Sequence, residues 1–300
     1  MQTKTIAKTI KKKLIEWLKT INDEELRQDV ENNIIVSGGC ITSMFMGEPV
    51  NDYDVYLKDI NVAYRLAKYY TKSFDNITVL NGLKKAEYLE LYSIYENEDT
   101  NYYTKSVITN LKPNQVKLLF ENKEGGMKVN EKVKTEDLNY TPLYLSSNAI
   151  SLSNQLQIVL RFTGNIKNIH RSFDFIHATN YYTFDKGLVT NKDALESILT
   201  KTLKYQGSLY PVTSIIRIKK FLKRGFNISA LEQLTIMFQI SQLDLTDPNV
   251  LEEQLIGVDV AYFSMLINML RKDEDNKPID YDRISILINL LSQIDIDEIE

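Results

Sequence analysis

The chain has 300 residues, of which 43% are hydrophobic, and a formal net charge of −4. This length fits one large domain or two ordinary ones, and the charge excludes a globally basic nucleic-acid-binding protein. Its single cysteine, Cys40, excludes a disulfide framework and a cysteine-rich zinc site, and it is typical of a reducing compartment. No apolar run approaches the roughly 20 residues of a membrane-spanning helix. We therefore predict a cytoplasmic protein that does not associate with membranes.

Hydrophobic periodicity predicts an α/β arrangement over the first part of the chain. An amphipathic helix is expected at residues 4–21, where apolar side chains recur on one face and lysines on the other. The elements predicted after it are a strand at 33–37, a helix at 39–46, a strand at 53–58, a helix at 60–72, and strands at 77–80, 87–94, 104–109, 115–120, 151–162 and 173–182.

The pattern changes where Asn191-Lys192-Asp193 forms a typical helix start, and the apolar spacing is helical from there on. We predict a first domain at 1–188 and a helical domain at 189–300. Charge divides the helical part, because residues 197–231 contain seven Lys or Arg and no acid. Residues 232–300 contain fifteen acids and four Lys or Arg, which makes an acidic C-terminal region.

Residues 34–57 contain the most informative pattern. An apolar run meets Gly38-Gly39, a short helical segment ends at Gly47, and Asp52 and Asp54 open the next predicted strand. Carboxylates at i and i+2 of a strand share a face, where they repel each other unless a cation lies between them. A glycine-rich strand-to-helix turn presents backbone N–H groups and a positive helix end to an anion. Adjacent cation and anion sites are what a metal–nucleoside triphosphate complex needs.

The spacing of Gly38, Gly39, Gly47, Asp52 and Asp54 resembles the nucleotidyltransferase superfamily of DNA polymerase β. Within it, the pattern is most similar to the head domain of poly(A) polymerases and tRNA CCA-adding enzymes. The resemblance implies an α+β fold, in which a nucleotidyltransferase head with a mixed β-sheet flanked by helices is followed by an all-helical C-terminal domain.

The sequence departs from the CCA-type pattern at Thr42-Ser43, where those enzymes have an Arg-Asp pair. This departure argues against CCA-specific chemistry. The sequence as a whole is also similar to uncharacterised nucleotidyltransferase-like proteins of tailed bacteriophages, which would place it in the host cytoplasm.

The resemblance implies a metal-dependent enzyme that uses an NTP substrate and two Mg²⁺ or Mn²⁺ ions, one to activate the attacking hydroxyl and one to bind the triphosphate. Asp52 and Asp54 would be catalytic residues and metal ligands, joined by a third carboxylate on a later strand. Asp174 is the first candidate for that third ligand, and Glu87 and Glu90 are the alternatives.

Nucleotide binding is predicted at two places. Gly38, Gly39 and Ser43 would hold oxygens of the triphosphate. A basic helix predicted at 214–224 presents Arg217 and Lys220 on one edge, where they would bind the triphosphate or the phosphodiesters of an acceptor. A solvated face that pairs with the acidic C-terminal region is the alternative for this helix.

The predicted reaction moves a nucleoside monophosphate from the NTP to an acceptor hydroxyl. An RNA 3′ end is the first acceptor considered, and a protein hydroxyl or a small molecule remains open. One alternative is a catalytically silent binding or virion-associated protein with the same fold. Another is a toxin-like enzyme that nucleotidylates a protein or tRNA.

Overall fold

The computed structural model describes residues 2–94, 104, 107–120, 126–129, 139–254 and 285. Most of the acidic C-terminal region lies outside the described residues. The chain divides into two units, Met1–Thr200 and Lys201–Glu300.

Ten helices are labelled in the described part of the chain: α1 Thr3–Leu18, α2 Glu24–Asn33, α3 Gly39–Met46, α4 Ile60–Thr71, α5 Lys85–Ile94, α6 Ile166–His170, α7 Lys192–Thr200, α8 Pro211–Lys223, α9 Ala230–Ile240 and α10 Pro248–Gln254. The strands are β1 Ile34–Ser37, β2 Tyr53–Leu57, β3 Ile77–Asn81, β4 Val116–Phe120, β5 Gly126–Lys128, β6 Pro142–Ser146, β7 Ala149–Leu152, β8 Leu156–Thr163, β9 Tyr181–Thr183, β10 Gly187–Val189, β11 Thr202–Leu203 and β12 Asn227–Ile228.

The first unit is built on an eight-stranded sheet in the order β10-β9-β1-β2-β8-β7-β6-β5. Its neighbouring strands are antiparallel except for β2 and β8, which are parallel. The strands β3 and β4 form a separate antiparallel pair. The α+β class with a mixed sheet flanked by helices is therefore confirmed.

The two faces of the sheet pack differently because strand side chains alternate in direction. One face carries Val36, Val55 and Ile158, which join the main hydrophobic core with residues of α1 to α4. The opposite face carries Ile35 and Tyr56, which pack in a smaller cluster with residues of α6 and the chain that follows it. Asp54 lies between Tyr53 and Val55 in β2 and thus belongs to this second face.

Three predicted strands are wrong. Residues 87–94 lie in α5, whose sequence is rich in the helix formers Lys, Ala, Glu and Leu. Residues 104 and 107–109 are helical, and 105–106 lie outside the described residues. The segment 173–182 contains a 3₁₀ turn, Ile176–Ala178, before β9 begins.

Local hydrogen bonds explain the third error. Ser172 Oγ donates to Ile169 O at 2.6 Å, and Thr179 Oγ1 donates to Ile176 O at 2.7 Å. Such short-range bonds compete with strand pairing and favour turns.

The single strand predicted at 151–162 is a hairpin instead. The strands β7 and β8 pair antiparallel around a turn in which Asn154 and Gln155 have positive φ angles. The sequence also gave no prediction for α2, whose N-cap Asp23 accepts a hydrogen bond from Leu26 N at 2.9 Å.

The unit boundary falls at Thr200, later than the predicted domain boundary at residue 188. Two hydrogen bonds of Asn191, the residue directly before α7, explain why α7 stays with the first unit. Asn191 Nδ2 donates to Thr179 Oγ1 at 3.0 Å, and Asn191 N donates to Asn180 Oδ1 at 2.9 Å.

The described part of the second unit is mainly helical, as predicted, and contains α8, α9 and α10. It also contains one short parallel pair of strands, β11 and β12, which the sequence did not predict. None of the described helices is both long enough and apolar enough to cross a membrane.

Candidate functional site

The turn between β1 and α3 is shaped by Gly38. Its φ angle is 101°, a conformation that side chains with a Cβ rarely adopt. A β-carbon built on Gly38 would lie 3.3 Å from Asp54 Oδ2 and 4.0 Å from the ring of Phe173. The missing side chain therefore allows this backbone to approach the Asp54 carboxylate closely.

The backbone N–H of Gly38 donates to Ala178 O at 3.1 Å. This donor is thus occupied in the structure, so Gly38 would contribute its backbone conformation, and not its N–H group, to a phosphate site. Gly39 is the first residue of α3, at the end of the helix where backbone N–H groups have no partner within the helix.

The middle of α3, from Cys40 to Met44, is buried, whereas Gly39 at its N-terminus is exposed. It ends at Gly47, which has a left-handed conformation with a φ angle of 73°. Thr42 Oγ1 donates to His177 O at 3.0 Å, so the residue that replaces the arginine of the CCA-type pattern ties α3 to the 3₁₀ turn. Ser43 is only 9% exposed.

Asp52 lies directly before β2 and is exposed, and Asp54 is the second residue of β2 and is half-buried. Each carboxylate acts on the pKa of a neighbour. Burial lowers the pKa of Lys13, and the negative charges of Glu16 and Asp52 oppose that shift. Burial raises the pKa of the Cys40 thiol, and the charge of Asp54 adds to it. Cys40 is therefore a protonated, buried residue beside the site.

The strand register gives Asp54 two neighbours on its face. Gln157 in β8 is its direct partner. Val36 pairs with Val55, and continuing this register by one residue places Ser37 opposite Asp54. Partners on adjacent strands point to the same side of a sheet. Ser37, Asp54 and Gln157 thus form a row beside the glycine turn.

Asp174 is buried, at 6% exposure, in the turn after α6, and its Oδ1 accepts a hydrogen bond from Phe175 N at 3.0 Å. Glu87 and Glu90 are exposed on α5, and Glu87 lies 3.4 Å from Lys84 Nζ. No group of three His, Cys, Asp or Glu side chains within the described residues is arranged to hold a metal ion. Among the described residues, none of the three candidates Asp174, Glu87 and Glu90 forms a metal-binding group with Asp52 and Asp54.

The sequence singled out neither Ser37 nor His170 as a site residue. Ser37 Oγ donates to Asn180 O at 2.8 Å and lies 2.9 Å from His170 Nε2. Because the single hydroxyl proton of the serine is directed to Asn180 O, the geometry favours the His170 tautomer in which Nε2–H donates to Ser37 Oγ. This chain of bonds fixes the end of β1, one residue before Gly38.

Burial lowers the pKa of His170 from 6.5 to about 4. The folded chain therefore holds His170 neutral, whereas the unfolded chain protonates it below about pH 6.5. We therefore expect the free energy of unfolding to decrease as the pH is lowered from 6.5 to 4. The decrease should be about 1–2 kcal/mol after allowance for the partial exposure of the ring. Urea unfolding at a series of pH values measures this loss.

The matched variant is His170→Gln, which keeps a donor towards Ser37 without titrating. Its stability should depend less on pH in this window than that of the natural chain. Equal slopes for both proteins would contradict the assignment of this pH dependence to His170.

Arg217 and Lys220 belong to the second unit, on α8, where Arg217 is half-buried and Lys220 is exposed. The predicted helix at 214–224 is confirmed in type and begins three residues earlier, at Pro211, in the first turn position that favours proline. The rest of the helix surface is only partly buried, since Ser214 is buried while Ile215 and Leu222 are 46% and 48% exposed.

The residues around Gly38 fit one divalent cation with a triphosphate. Asp52 and Asp54 would supply hard oxygen ligands, and the Asp54 carboxylate lies beside the glycine turn. Mg²⁺ is commonly bound by one or two carboxylates together with substrate phosphates. The three-carboxylate set that the resemblance implied is not assembled by the described residues.

Comparisons with known proteins show one matching family and one similar curated protein. The model of the Gabija anti-defense 2 family matches residues 8–201. Gabija anti-defense 2 of Bacillus phage SPbetaL7 is 21% identical over 255 residues, which cover 84% of this chain and 48% of that protein. The chain thus spans about half the length of this curated relative.

Several solved structures are similar to the chain. The Thermotoga maritima CCA-adding enzyme complexed with tRNA has 13% identity and a TM-score of 0.39, over 86% of this chain and 56% of that chain. A CCA-adding enzyme in apo form I has 12% identity and a TM-score of 0.40, over 87% and 52%. A tRNA nucleotidyltransferase complexed with a primer tRNA and an incoming ATP analog has 14% identity and a TM-score of 0.34, over 83% and 59%.

Proposed function

Because the chain belongs to the Gabija anti-defense 2 family, we propose that it is a phage nucleotidyltransferase that counteracts Gabija in the host cytoplasm. It transfers a nucleoside monophosphate from an NTP to an acceptor hydroxyl, with an RNA 3′ end as the preferred acceptor. The observation that supports this proposal most is the approach of Asp54 Oδ2 to within 3.3 Å of a β-carbon built on Gly38. That geometry puts a cation ligand directly beside a candidate phosphate-binding turn.

The aspartates and the glycine turn have different roles in the transfer. Asp52 and Asp54 hold the cation, which neutralises charge on the triphosphate when it is bound. The N-terminus of α3, from Gly39, binds phosphate oxygens, and Gly38 gives the turn its shape. The acceptor oxygen bonds to the α-phosphorus, the bond from that phosphorus to the bridging oxygen breaks, pyrophosphate leaves, and the hydroxyl proton passes to solvent.

The acceptor assignment is supported by the basic helix α8. Removing two contacts from basic side chains to phosphates should lower the dependence of RNA affinity on salt by about 1–2 in the slope of log K against log salt. We expect this result for Arg217→Ala/Lys220→Ala in fluorescence titrations of single-stranded RNA. The matched control is Lys167→Ala/Lys192→Ala, at exposed lysines of the first unit. An unchanged slope for the α8 variant would place RNA elsewhere.

Label transfer tests the proposed reaction. The purified chain is incubated with each labelled NTP, with Mg²⁺ or Mn²⁺, and with total RNA or a lysate of cells that carry Gabija. We expect label on RNA and its loss in Asp52→Ala/Asp54→Ala. Label on a protein or on tRNA alone would favour the toxin-like enzyme, and no transfer with either metal would contradict the proposed activity.

A catalytically silent binding protein is the second candidate. The observation that favours it is the lack, among the described residues, of a third acid grouped with Asp52 and Asp54. This candidate predicts that Asp52→Ala/Asp54→Ala still protects phage plating on cells that carry Gabija. The proposed enzyme predicts that the same variant loses protection while it remains folded.

A further inference from the structure

Gln157 occupies the position next to Asp54 on the neighbouring strand. The two residues are register partners in the parallel pair of β2 and β8, so their side chains point to the same face. On that face Gln157 is half-buried, whereas its neighbours Leu156 and Ile158 are buried in the core on the opposite side. The Gln157 side chain therefore stands beside the candidate carboxylate.

The carboxamide of Gln157 is oriented by β7. Gln157 Nε2 donates to Ser151 Oγ at 3.2 Å, and Ser151 pairs with Gln157 on the side of β8 away from Asp54. An amide whose nitrogen is held on one side turns its carbonyl oxygen away from that partner. Carbonyl oxygens are ligands of hard cations such as Mg²⁺ and Mn²⁺.

The charge of the site follows from this geometry. Asp52 and Asp54 supply two negative charges, and the amide adds an oxygen ligand without a third. Two adjacent divalent cations repel each other and need anionic ligands between them, whereas one cation is satisfied by two carboxylates and the substrate phosphates.

Resting on the proposed function, we propose that Gln157 is the third side chain of the cation site. Asp52, Asp54 and Gln157 then hold one divalent cation with the triphosphate, and the neutral amide prevents tight binding of a second. Glutamate at the same position would supply the charge that a second ion requires.

The test counts bound Mn²⁺ by electron paramagnetic resonance in the presence of α,β-methylene analogues of the four NTPs, which do not support transfer. We expect one Mn²⁺ per natural chain, two for Gln157→Glu, and an affinity about tenfold weaker for Gln157→Ala. The matched control is Asn154→Asp, which adds one charge at an exposed turn position just before β8 and should leave the count at one.

The outcomes separate this inference from the proposed function. Two tightly bound ions in the natural chain, or one in a folded Gln157→Glu variant, would overturn the role of Gln157 and leave nucleotidyl transfer standing. A natural chain that binds neither analogue nor Mn²⁺ would overturn both. Circular dichroism of each variant establishes that it is folded.

Discussion

Asp54→Asn lowers label transfer by about 10³-fold or more and leaves the chain folded. The amide has the shape of the carboxylate but lacks the negative charge that holds the cation, and losing such electrostatic stabilisation costs several kcal/mol in the transition state. Stability should stay the same or rise, because the substitution removes repulsion between Asp52 and Asp54. Transfer rates and thermal unfolding of the same preparation measure both effects.

The control for Asp54→Asn is Asp185→Asn. Asp185 is an exposed acid whose carboxylate lies 3.8 Å from Lys58 Nζ. The Asp185→Asn variant should transfer label at the rate of the natural chain, since an exposed ion pair of this kind contributes little to stability. Full activity in Asp54→Asn would mean that the Asp54 carboxylate has no role in the reaction.

Gly38→Ala is expected to damage both stability and nucleotide binding. The φ angle of 101° costs an alanine about 1–3 kcal/mol. The new β-carbon would also lie 3.3 Å from Asp54 Oδ2, so the carboxylate or the turn has to move. We expect at least a tenfold loss of affinity for an NTP analogue with Mn²⁺, measured by calorimetry, and a lower free energy of unfolding.

Substitutions at two other glycines distinguish the effect of backbone strain from the effect of the contact with Asp54. Gly47→Ala also places a side chain at a positive φ angle, 73°, but nothing lies within 4 Å of its β-carbon. It should lose stability and keep its nucleotide affinity. Gly39 has neither constraint, so Gly39→Ala should not destabilise the chain. Equal loss of affinity in Gly38→Ala and Gly47→Ala would mean that the contact with Asp54 has no special role.

The sequence predicted the local geometry of the site well because short-range rules govern it. The strand β1, the glycine turn after it and the end of α3 at Gly47 were all predicted from residue type and spacing, and the positive φ angles of Gly38 and Gly47 were found in the structure. The same rules failed where short polar side chains redirected the backbone, as Ser172 and Thr179 do around the 3₁₀ turn.

Contacts between residues that are distant in the sequence could not be predicted, because they depend on which strands pair and in what register. Gln157 stands 103 positions after Asp54 in the printed sequence, and only the parallel pairing of β2 with β8 brings them together. The hydrogen bond from His170 to Ser37 has the same origin. The position of Ser37 directly before the glycine pair could have drawn attention to its hydrogen bond with His170. Nothing in the sequence around Gln157 indicates a role for that residue.

The position of the bound cation decides whether Asp52 and Asp54 form the metal site. A crystal of the chain with an NTP analogue and Mn²⁺ gives the metal position from its anomalous scattering. We expect one Mn²⁺ bound by Asp52 and Asp54, with the triphosphate at the N-terminus of α3 and the amide oxygen of Gln157 facing the ion. A nucleotide bound with no ion at Asp52 and Asp54, or one bound away from Gly38, would contradict it.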